Sequence, residues 1–339
     1  MLRRSWRAKG EAFMVRLTFL PAAIVALAAL FVPSEAPAQT AYPSRTVTLV
    51  VPFPAGGPTD IIARIVAASL QQSLGQNFIV ENRAGAGGNP GMFYVARANP
   101  DGYTLLFTST AIAVNPGLHT NLPYDPLKDF APISEIVNAP NVLFVRPDSG
   151  IKTVADLVAR AKAEPDKLNY ASPGVGTKSH LTGELLKLRA GISIQHIPYR
   201  GGGPATQSLV AGTVQLGSVA LAPVEPLIKA GTVHALAVTG ATRWYSLPDV
   251  PTMIESGYPG FVSDTFNAMF APAGTPPEIV ALLVKEVRAA MQKPEARDAA
   301  RKYGYQIVAG TPDQMRARLV SEIQGVKELV AKAGIKPQN

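Results

Sequence analysis

The sequence of 339 residues contains no cysteine and only four histidines. Without cysteine the chain can form no disulfide bond, so a sizeable hydrophobic core has to stabilise its fold. The absence also excludes a lipid anchor on an N-terminal cysteine and a zinc site built on thiolates. The histidines lie far apart in the sequence, so we interpret each as structural and expect neither a metal nor a cofactor. They are His119, His180, His196 and His234.

The first forty residues differ in composition from the rest of the chain. A region with five Lys or Arg residues leads into an apolar run from Leu17 to Val32, which is short for a membrane span. Ala36-Pro37-Ala38 then provides small residues for cleavage. We predict a signal peptide over residues 1–38, cleaved near Ala38, and a mature protein in the periplasm. The true start (Met1 or Met14) and the export route (Sec or twin-arginine) stay open.

Charged residues are scarce, at 17% of the chain, and no block of five or more like charges occurs. A nucleic-acid partner is therefore not expected. The predicted signal holds five basic and two acidic side chains, so its removal lowers the formal net charge from +8 to +5. A mildly basic protein of this kind attracts small anions.

Short β-like runs alternate with amphipathic helical windows after the signal, a pattern typical of parallel α/β sheets. About fourteen such elements predict two doubly wound lobes, with a closed (β/α)₈ barrel as the alternative. Residues 133–137 and 141–145 are predicted as separate strands. We expect one lobe from residues 39–140 plus 262–339 and the other from residues 141–261. Ligands bind at the carboxyl ends of strands in such folds, so the loops after strands are the candidate sites.

The most informative loop follows the predicted strand that ends at Val51. It runs from Pro52 through Gly56 and Gly57 into a helix that begins near Thr59. Free main-chain N–H groups and the helix dipole favour an anion at such a junction, and glycine lets a ligand approach closely.

Three further loops have polar or glycine-bearing sequences directly after predicted strands. Residues 170–180 contain Ser172 and Gly176 and open a helix, although a plain turn capped by Thr177 or Ser179 is equally possible. Residues 197–204 contain Tyr199 and Arg200, and the guanidinium could pair with a carboxylate or simply face solvent. Residues 107–111 are rich in hydroxyl groups that suit either a carboxylate or a helix cap.

Signatures of enzymes are incomplete. The run Gly85–Gly91 has Pro90 where a dinucleotide fingerprint needs glycine, and Thr177 replaces the glycine of a phosphate-binding loop. A Gly-x-Ser-x-Gly elbow does not occur. We therefore predict that the protein is not an enzyme, with an exported hydrolase as one alternative.

Eight ordered sequence blocks resemble the Bug-type solute receptors of tripartite tricarboxylate transporters. Together they run from Tyr42 to Gly334, almost the whole predicted mature chain. The blocks are Val51–Phe53 with Gly56–Asp60, Val80–Asn89, Pro100–Leu106, Leu122–Pro126, Lys128–Phe130, Ala235–Thr239, Leu247–Thr252 and Phe270–Pro276.

The resemblance implies a periplasmic binding protein of the Venus-flytrap type, whose two lobes close on a small carboxylate. It also implies delivery of the ligand to a membrane permease with large and small multi-span subunits. A monomer is expected, and a sensor partner of a membrane kinase is the other alternative. Carried over to this chain, the implied ligand-binding residues are Phe53, Ala55, Gly56, Gly57, Thr59, Asp60, Ser109, Thr110, Ser172, Gly176, Thr177, His180, Tyr199 and Arg200.

Two departures from the family pattern bear on the ligand. Arg200 stands where many relatives have lysine, and Val219-Ala220 stands where many have an Asp-Asn pair. Without that acidic residue, a ligand ammonium group lacks a partner. The sequence therefore predicts a carboxylate without an amine, either an aliphatic dicarboxylate or an aromatic acid.

Overall fold

One mixed β-sheet of ten strands runs through the protein in a computed structural model that describes residues 42–337. The predicted signal peptide lies outside these residues. No helix among the described residues is long and apolar enough to cross a membrane. The strands are β1 (Val47–Val51), β2 (Phe78–Asn82), β3 (Thr104–Ser109), β4 (Phe130–Val145), β5 (Asn169–Ser172), β6 (Gln195–Pro198), β7 (Leu216–Ala220), β8 (His234–Val238), β9 (Asp264–Pro272) and β10 (Gln306–Ile307).

Helices cover the faces of this sheet and connect most of its strands. They are α1 (Pro58–Leu74), α2 (Asn89–Ala96), α3 (Ala111–Leu118), α4 (Val154–Ala163), α5 (Lys178–Ala190), α6 (Gly202–Val210), α7 (Glu225–Lys229), α8 (Pro277–Gln292), α9 (Pro294–Lys302) and α10 (Pro312–Lys332).

The strand order β2-β1-β3-β9-β4-β7-β5-β6 divides the sheet into two lobes, while β8 and β10 also pair with β4. In the first lobe β1, β2 and β3 are parallel, and in the second lobe β5, β6 and β7 are parallel. The order begins at β2 and ends at β6, so this path does not close into the alternative (β/α)₈ barrel. Two doubly wound α/β lobes were predicted from the alternating pattern, and that prediction is confirmed.

Strand β4 joins the two lobes as a single strand of 16 residues. Its pairing with β9 runs from Phe130 to Pro140, and its pairing with β7 begins at Asn141. The prediction of two separate strands here was wrong. The register with β9 shifts between Pro132 and Ser134 and again between Glu135 and Val137. Such irregularities let one continuous strand follow the twist of both lobes. The exact lobe boundaries stay a prediction, but the change of partner falls at residues 140 and 141.

Buried apolar side chains fill both faces of each lobe, as a doubly wound fold requires. In the first lobe one face packs against α1, α8 and α9, and the other against α2, α3 and α10. In the second lobe α4 and α5 cover one face, while α6 and α7 cover the other. The last helix, α10, places Met315 and Leu319 in the core of the first lobe.

Several helix ends follow the local sequence signals. Helix α1 begins with Pro58 and ends at Gly75, whose φ of 68° is the left-handed conformation that glycine favours. Thr153 and Asp156 form a capping box at the start of α4. Helix α3 was not predicted, because its sequence contains Asn115-Pro116-Gly117, which is typical of a turn.

Close packing between β4 and β7 gives a test of this core. Gly217 of β7 faces Phe144 of β4, and a Cβ atom at residue 217 would lie 2.3 Å from the phenyl ring. We expect Gly217→Ala to lower the free energy of unfolding by about 1–3 kcal/mol through overpacking. Gly325 of α10 has open space around it, so Gly325→Ala should raise the same quantity by roughly 0.5–1 kcal/mol. Denaturant unfolding of both variants measures the two effects, and equal stabilities would contradict this packing.

Candidate functional site

A cavity of about 560 Å³ lies between the two lobes. Its walls come from loops that follow strands of both lobes, together with the end of the chain after α10. The lining residues are Phe53, Ala86, Gly87, Ser109, Thr110, Ala111, Val114, Asn115, Leu118, His119, Pro173, Val175, Gly176, Thr177, Lys178, Ser179, Thr265, Ile335 and Lys336.

Two helices begin at this cavity, one from each lobe. Helix α3 starts directly after β3, and five residues separate the end of β5 from the start of α5. Thr177 caps α5 by accepting a hydrogen bond from the His180 N–H at 3.2 Å. Within the described residues, the N–H groups of Lys178 and Ser179 have no acceptor. Such first-turn N–H groups, with the positive end of the helix dipole, favour an anion.

Hydroxyl groups on the first-lobe side add neutral donors. Thr110 is the N-terminal flanking residue of α3, but its side chain makes no capping hydrogen bond. The Ser109 Oγ accepts a bond of 3.3 Å from the Ala111 N–H, which leaves its own hydrogen free. Both side chains line the cavity. They can therefore donate to a carboxylate without an ion pair.

The cavity wall is basic. It contains Lys178 and Lys336, and none of the aspartates or glutamates within residues 42–337 belongs to the lining. The Lys178 ammonium is paired with Glu322, so the exposed Lys336 carries the positive charge that can attract small anions to the cleft. A ligand ammonium group, in contrast, would meet no carboxylate there.

A glycine-rich turn, which was not predicted as a site from the sequence, forms part of the cavity wall. Residues 85–88 all have positive φ, including Ala86 at 39° and Gly87 at 65°. Ala86 and Gly87 line the cavity, and the Asn115 side chain holds the turn by donating to the Gly87 carbonyl at 3.1 Å. The repeated glycines carried this signal, since left-handed turns can bring main-chain N–H groups together as an anion-binding concavity.

Of the first predicted loop, only Phe53 lines this cavity. Ala55 and Gly56 are exposed, and Gly57 is half-buried. Thr59 is buried, and its Oγ1 accepts a bond of 3.1 Å from the Asn267 side chain, which ties the start of α1 to β9. The loop therefore lies beside the cavity, and the roles predicted for its other members stay predictions.

Asp60 stabilises the loop after β1 through its side-chain carboxylate. Its carboxylate accepts hydrogen bonds from the Gly56 N–H at 2.9 Å and from the side chains of Arg64 and Asn82. Burial alone would raise the pKa of Asp60, but these hydrogen bonds lower it on balance. The carboxylate is thus occupied in holding the turn closed.

In the second lobe, Gly176 and Thr177 line the cavity while Ser172 and His180 lie behind it. The His180 Nδ1 accepts a bond of 3.2 Å from the Gly176 N–H, so the imidazole supports the loop. Tyr199 and Arg200 are not among the lining residues. Tyr199 packs on the apolar core of the second lobe, and Arg200 is exposed. Their predicted ligand contacts stay predictions.

His180 and His196 stack face to face with ring centroids 4.1 Å apart. These two histidines are far apart in the sequence, but parallel pairing of β5 and β6 brings His196 beside the start of α5. Burial lowers the pKa of both imidazoles, and that of His196 falls to about 3. Both rings are neutral at pH 7 and serve as packing and hydrogen-bonding groups.

The structure also tests the hydrolase alternative at a serine–histidine contact. The Ser172 Oγ lies 2.7 Å from the His196 Nε2, within reach of a nucleophile and its base. However, Ser172 is fully buried, and an imidazole with a pKa of about 3 is a weak base at neutral pH. The contact is better explained as a support for the loop after β5.

Comparisons with known proteins agree on one family. The sequence family described as "Tripartite tricarboxylate transporter family receptor" matches residues 62–335. Protein BugT of Bordetella pertussis is 38% identical to this chain over 325 residues, covering 95% of this chain and 99% of that protein.

Two similar solved structures contain small carboxylates. The structure described as R. palustris Rpa4515 with adipate is 37% identical, covers 88% of this chain and 100% of its own, and has a TM-score of 0.75. MatC (Rpa3494) from Rhodopseudomonas palustris with bound malate is 33% identical, covers 85% of this chain and 100% of its own, and has a TM-score of 0.71.

The stacked histidines predict how stability depends on pH. Unfolded histidine takes up a proton below a pKa of about 6.5, whereas folded His196 does so only near 3. The unfolded state therefore binds more protons in this window, so stability is present above pH 6.5 and is lost as the pH falls. Between pH 7 and pH 5 we expect a loss on the order of 1 kcal/mol for this half-buried ring.

Denaturant unfolding at the two pH values measures the effect. His196→Asn should flatten the pH dependence, while His234→Asn, at an exposed histidine, should leave it as in the unmodified protein. A steep dependence that survives in His196→Asn would refute the assignment to this ring.

Proposed function

Because the chain belongs to the tripartite tricarboxylate transporter receptor family, we propose that it binds a small carboxylate between its two lobes and delivers it to a membrane permease. The membership confirms the family predicted from eight sequence blocks. It also agrees with the prediction that the protein is a solute-binding receptor and not an enzyme. The periplasm is the proposed location, with the segment 1–38 as the export signal.

The observation that carries the proposal is the composition of the interlobe cavity. Among the described residues, the lining includes Lys178 and Ser179, whose N–H groups have no acceptor, together with Thr110 and Lys336, and it includes no aspartate or glutamate. Donors fixed on helix ends and short turns bind a carboxylate without much loss of conformational entropy.

A dicarboxylate or an aromatic acid without an amino group is the proposed ligand class. The volume of about 560 Å³ is within the range of pockets for small organic ligands. Relatives whose structures contain adipate and malate support an aliphatic diacid. The lack of an acidic lining residue supports the absence of an ammonium group, since an unpaired cation in the cleft would be costly.

Closure of the lobes is the proposed mechanism, and it involves no covalent chemistry. The chain crosses between the lobes near residues 139–141 of β4 and again near residues 258–264, where a hinge can act. A ligand that contacts both lobes binds the closed form better and shifts the population toward it. The closed receptor, acting as a monomer, would then present the ligand to the permease. A sensor partner of a membrane kinase remains the alternative for the last step.

Matched pairs of ligands test the substrate class. Thermal shift and calorimetry would compare succinate with aspartate, and adipate with 2-aminoadipate, with benzoate as an aromatic acid. We expect the acid without an amine to bind more tightly in each pair. If no carboxylate raised the melting temperature, the proposal would be refuted. Tighter binding of the amino acids would refute the ligand class alone.

Removal of the Thr110 hydroxyl tests whether this residue belongs to the ligand-binding site. Thr110→Val keeps the side-chain shape but removes a donor that has no capping role. We expect affinity for the bound carboxylate to fall by roughly tenfold, as for loss of a hydrogen bond to a charged group, with little change in melting temperature. Thr232→Val, at an exposed threonine after α7, is the control and should bind normally. Unchanged affinity in Thr110→Val would remove this residue from the site.

A further inference from the structure

A network of buried ion pairs lies next to the cavity and shares Lys178 with its lining. Lys178 pairs with Glu322, and Arg318 pairs with Glu135 and Asp264. Arg318 also lies 3.8 Å from Glu322, which joins the two parts. The Lys178 and Glu322 side chains are only 10% and 17% exposed, so solvent screens their interaction weakly.

The members of this network come from both lobes and from the strands that join them. Lys178 is the first residue of α5 in the second lobe, whereas Glu322 and Arg318 lie on α10, which packs on the first lobe. Glu135 lies on β4 and Asp264 on β9. The Asn138 side chain donates to Asp264 at 3.1 Å, within the crossing segment. The network thus connects α5 to the hinge strands through α10.

Lys178 lines two cavities. It lines the ligand cavity and also a second cavity of about 590 Å³ between α5, α10 and residues 260–264. Among the residues that line these two cavities, it is the only one they share. Its main-chain N–H belongs to the free first turn of α5, while its ammonium group reaches Glu322.

We propose that Lys178 is a positioning residue, which through Glu322 fixes the first turn of α5 so that its N–H groups face the ligand. This inference rests on the proposed function, because the ligand is the carboxylate in that cavity. Glu322 and Arg318 act on the ligand only through Lys178 and the hinge strands.

The loop before α5 needs such an anchor. Gly174 and Gly176 have φ values of 145° and 80°, in a region open mainly to glycine, and glycine restrains the backbone least. Local hydrogen bonds hold the loop from within, as Thr177 donates to the Gly174 carbonyl at 2.8 Å. The ion pair between Lys178 and Glu322 adds a contact to the helix that packs on the other lobe, 144 residues away in the sequence.

Charge balance predicts the sign of the effect. Three carboxylates of the network face two cations, and burial raises the pKa of Glu135 although Arg318 opposes the shift. Removal of the Lys178 ammonium would release the α5 turn and also leave more negative charge beside an anion site. Both consequences weaken binding of a carboxylate.

The first experiment measures hydrogen exchange of the hydrogen-bonded amides of Gly176, Thr177 and His180 in the ligand-free protein. Lys178→Met and Glu322→Gln should both speed this exchange, and Lys178→Arg should restore slow exchange because it keeps the charge. Glu328→Gln is the matched control, since Glu328 lies on the same helix and bonds only an exposed glutamine, Gln324. This readout does not depend on any ligand, so it tests the positioning role even if the proposed function fails.

The second experiment measures adipate affinity by calorimetry. We expect Lys178→Met and Glu322→Gln each to weaken binding roughly tenfold, and the double variant to be no weaker than the single ones, as for two residues of one interaction. Lys178→Arg and Glu328→Gln should bind normally. Unchanged exchange in Lys178→Met would overturn the inference. So would tighter binding in Glu322→Gln, since a released Lys178 would then contact the ligand itself.

Discussion

The ladder between β4 and β9 is the constraint on which the rest of the structure depends. It runs from Phe130 to Pro140 of β4 without a break in the chain, and β4 continues from Asn141 into the second lobe. Both lobes therefore share one strand, and any relative movement of the lobes has to bend or twist this strand at the crossing. Because β3 pairs with β9 and β5 pairs with β7, the carboxyl ends of β3 and β5 meet on either side of a single cleft.

Main-chain N–H groups and hydroxyl groups are available at this cleft, and the titratable side chains nearby have structural roles. Asp60 closes the loop after β1, His180 supports the loop before α5, and His196 stacks on His180. Fixed donors of this kind suit the proposed binding of a carboxylate, since they lose little conformational entropy when a ligand binds. A neutral, buried imidazole adds rigidity without adding charge to the site.

Contact between the lobes at and beside the interlobe cavity is partly apolar and partly ionic. Val114 and Leu118 of α3, Leu181 of α5 and Val326 of α10 form one hydrophobic cluster. The Lys178–Glu322 pair lies at the edge of this cluster, where the same helices meet. An apolar contact can slide, because it has little directional preference, whereas a buried ion pair holds one geometry. The pair is therefore suited to set the position of the donors that the cluster brings close.

The sequence by itself determined the alternating elements, the helix ends at Gly75 and Thr153 and the family, and it predicted an anion site in the loops after strands. These follow from local periodicity, capping residues and short glycine-bearing loops, which depend on near neighbours in the chain. Only the tertiary structure decided that α3 forms through Asn115-Pro116-Gly117, that His180 stacks on His196, and that Lys178 reaches Glu322. Each of these depends on strand order and on the placement of one lobe against the other, and no pattern of neighbouring residues encodes such distant contacts.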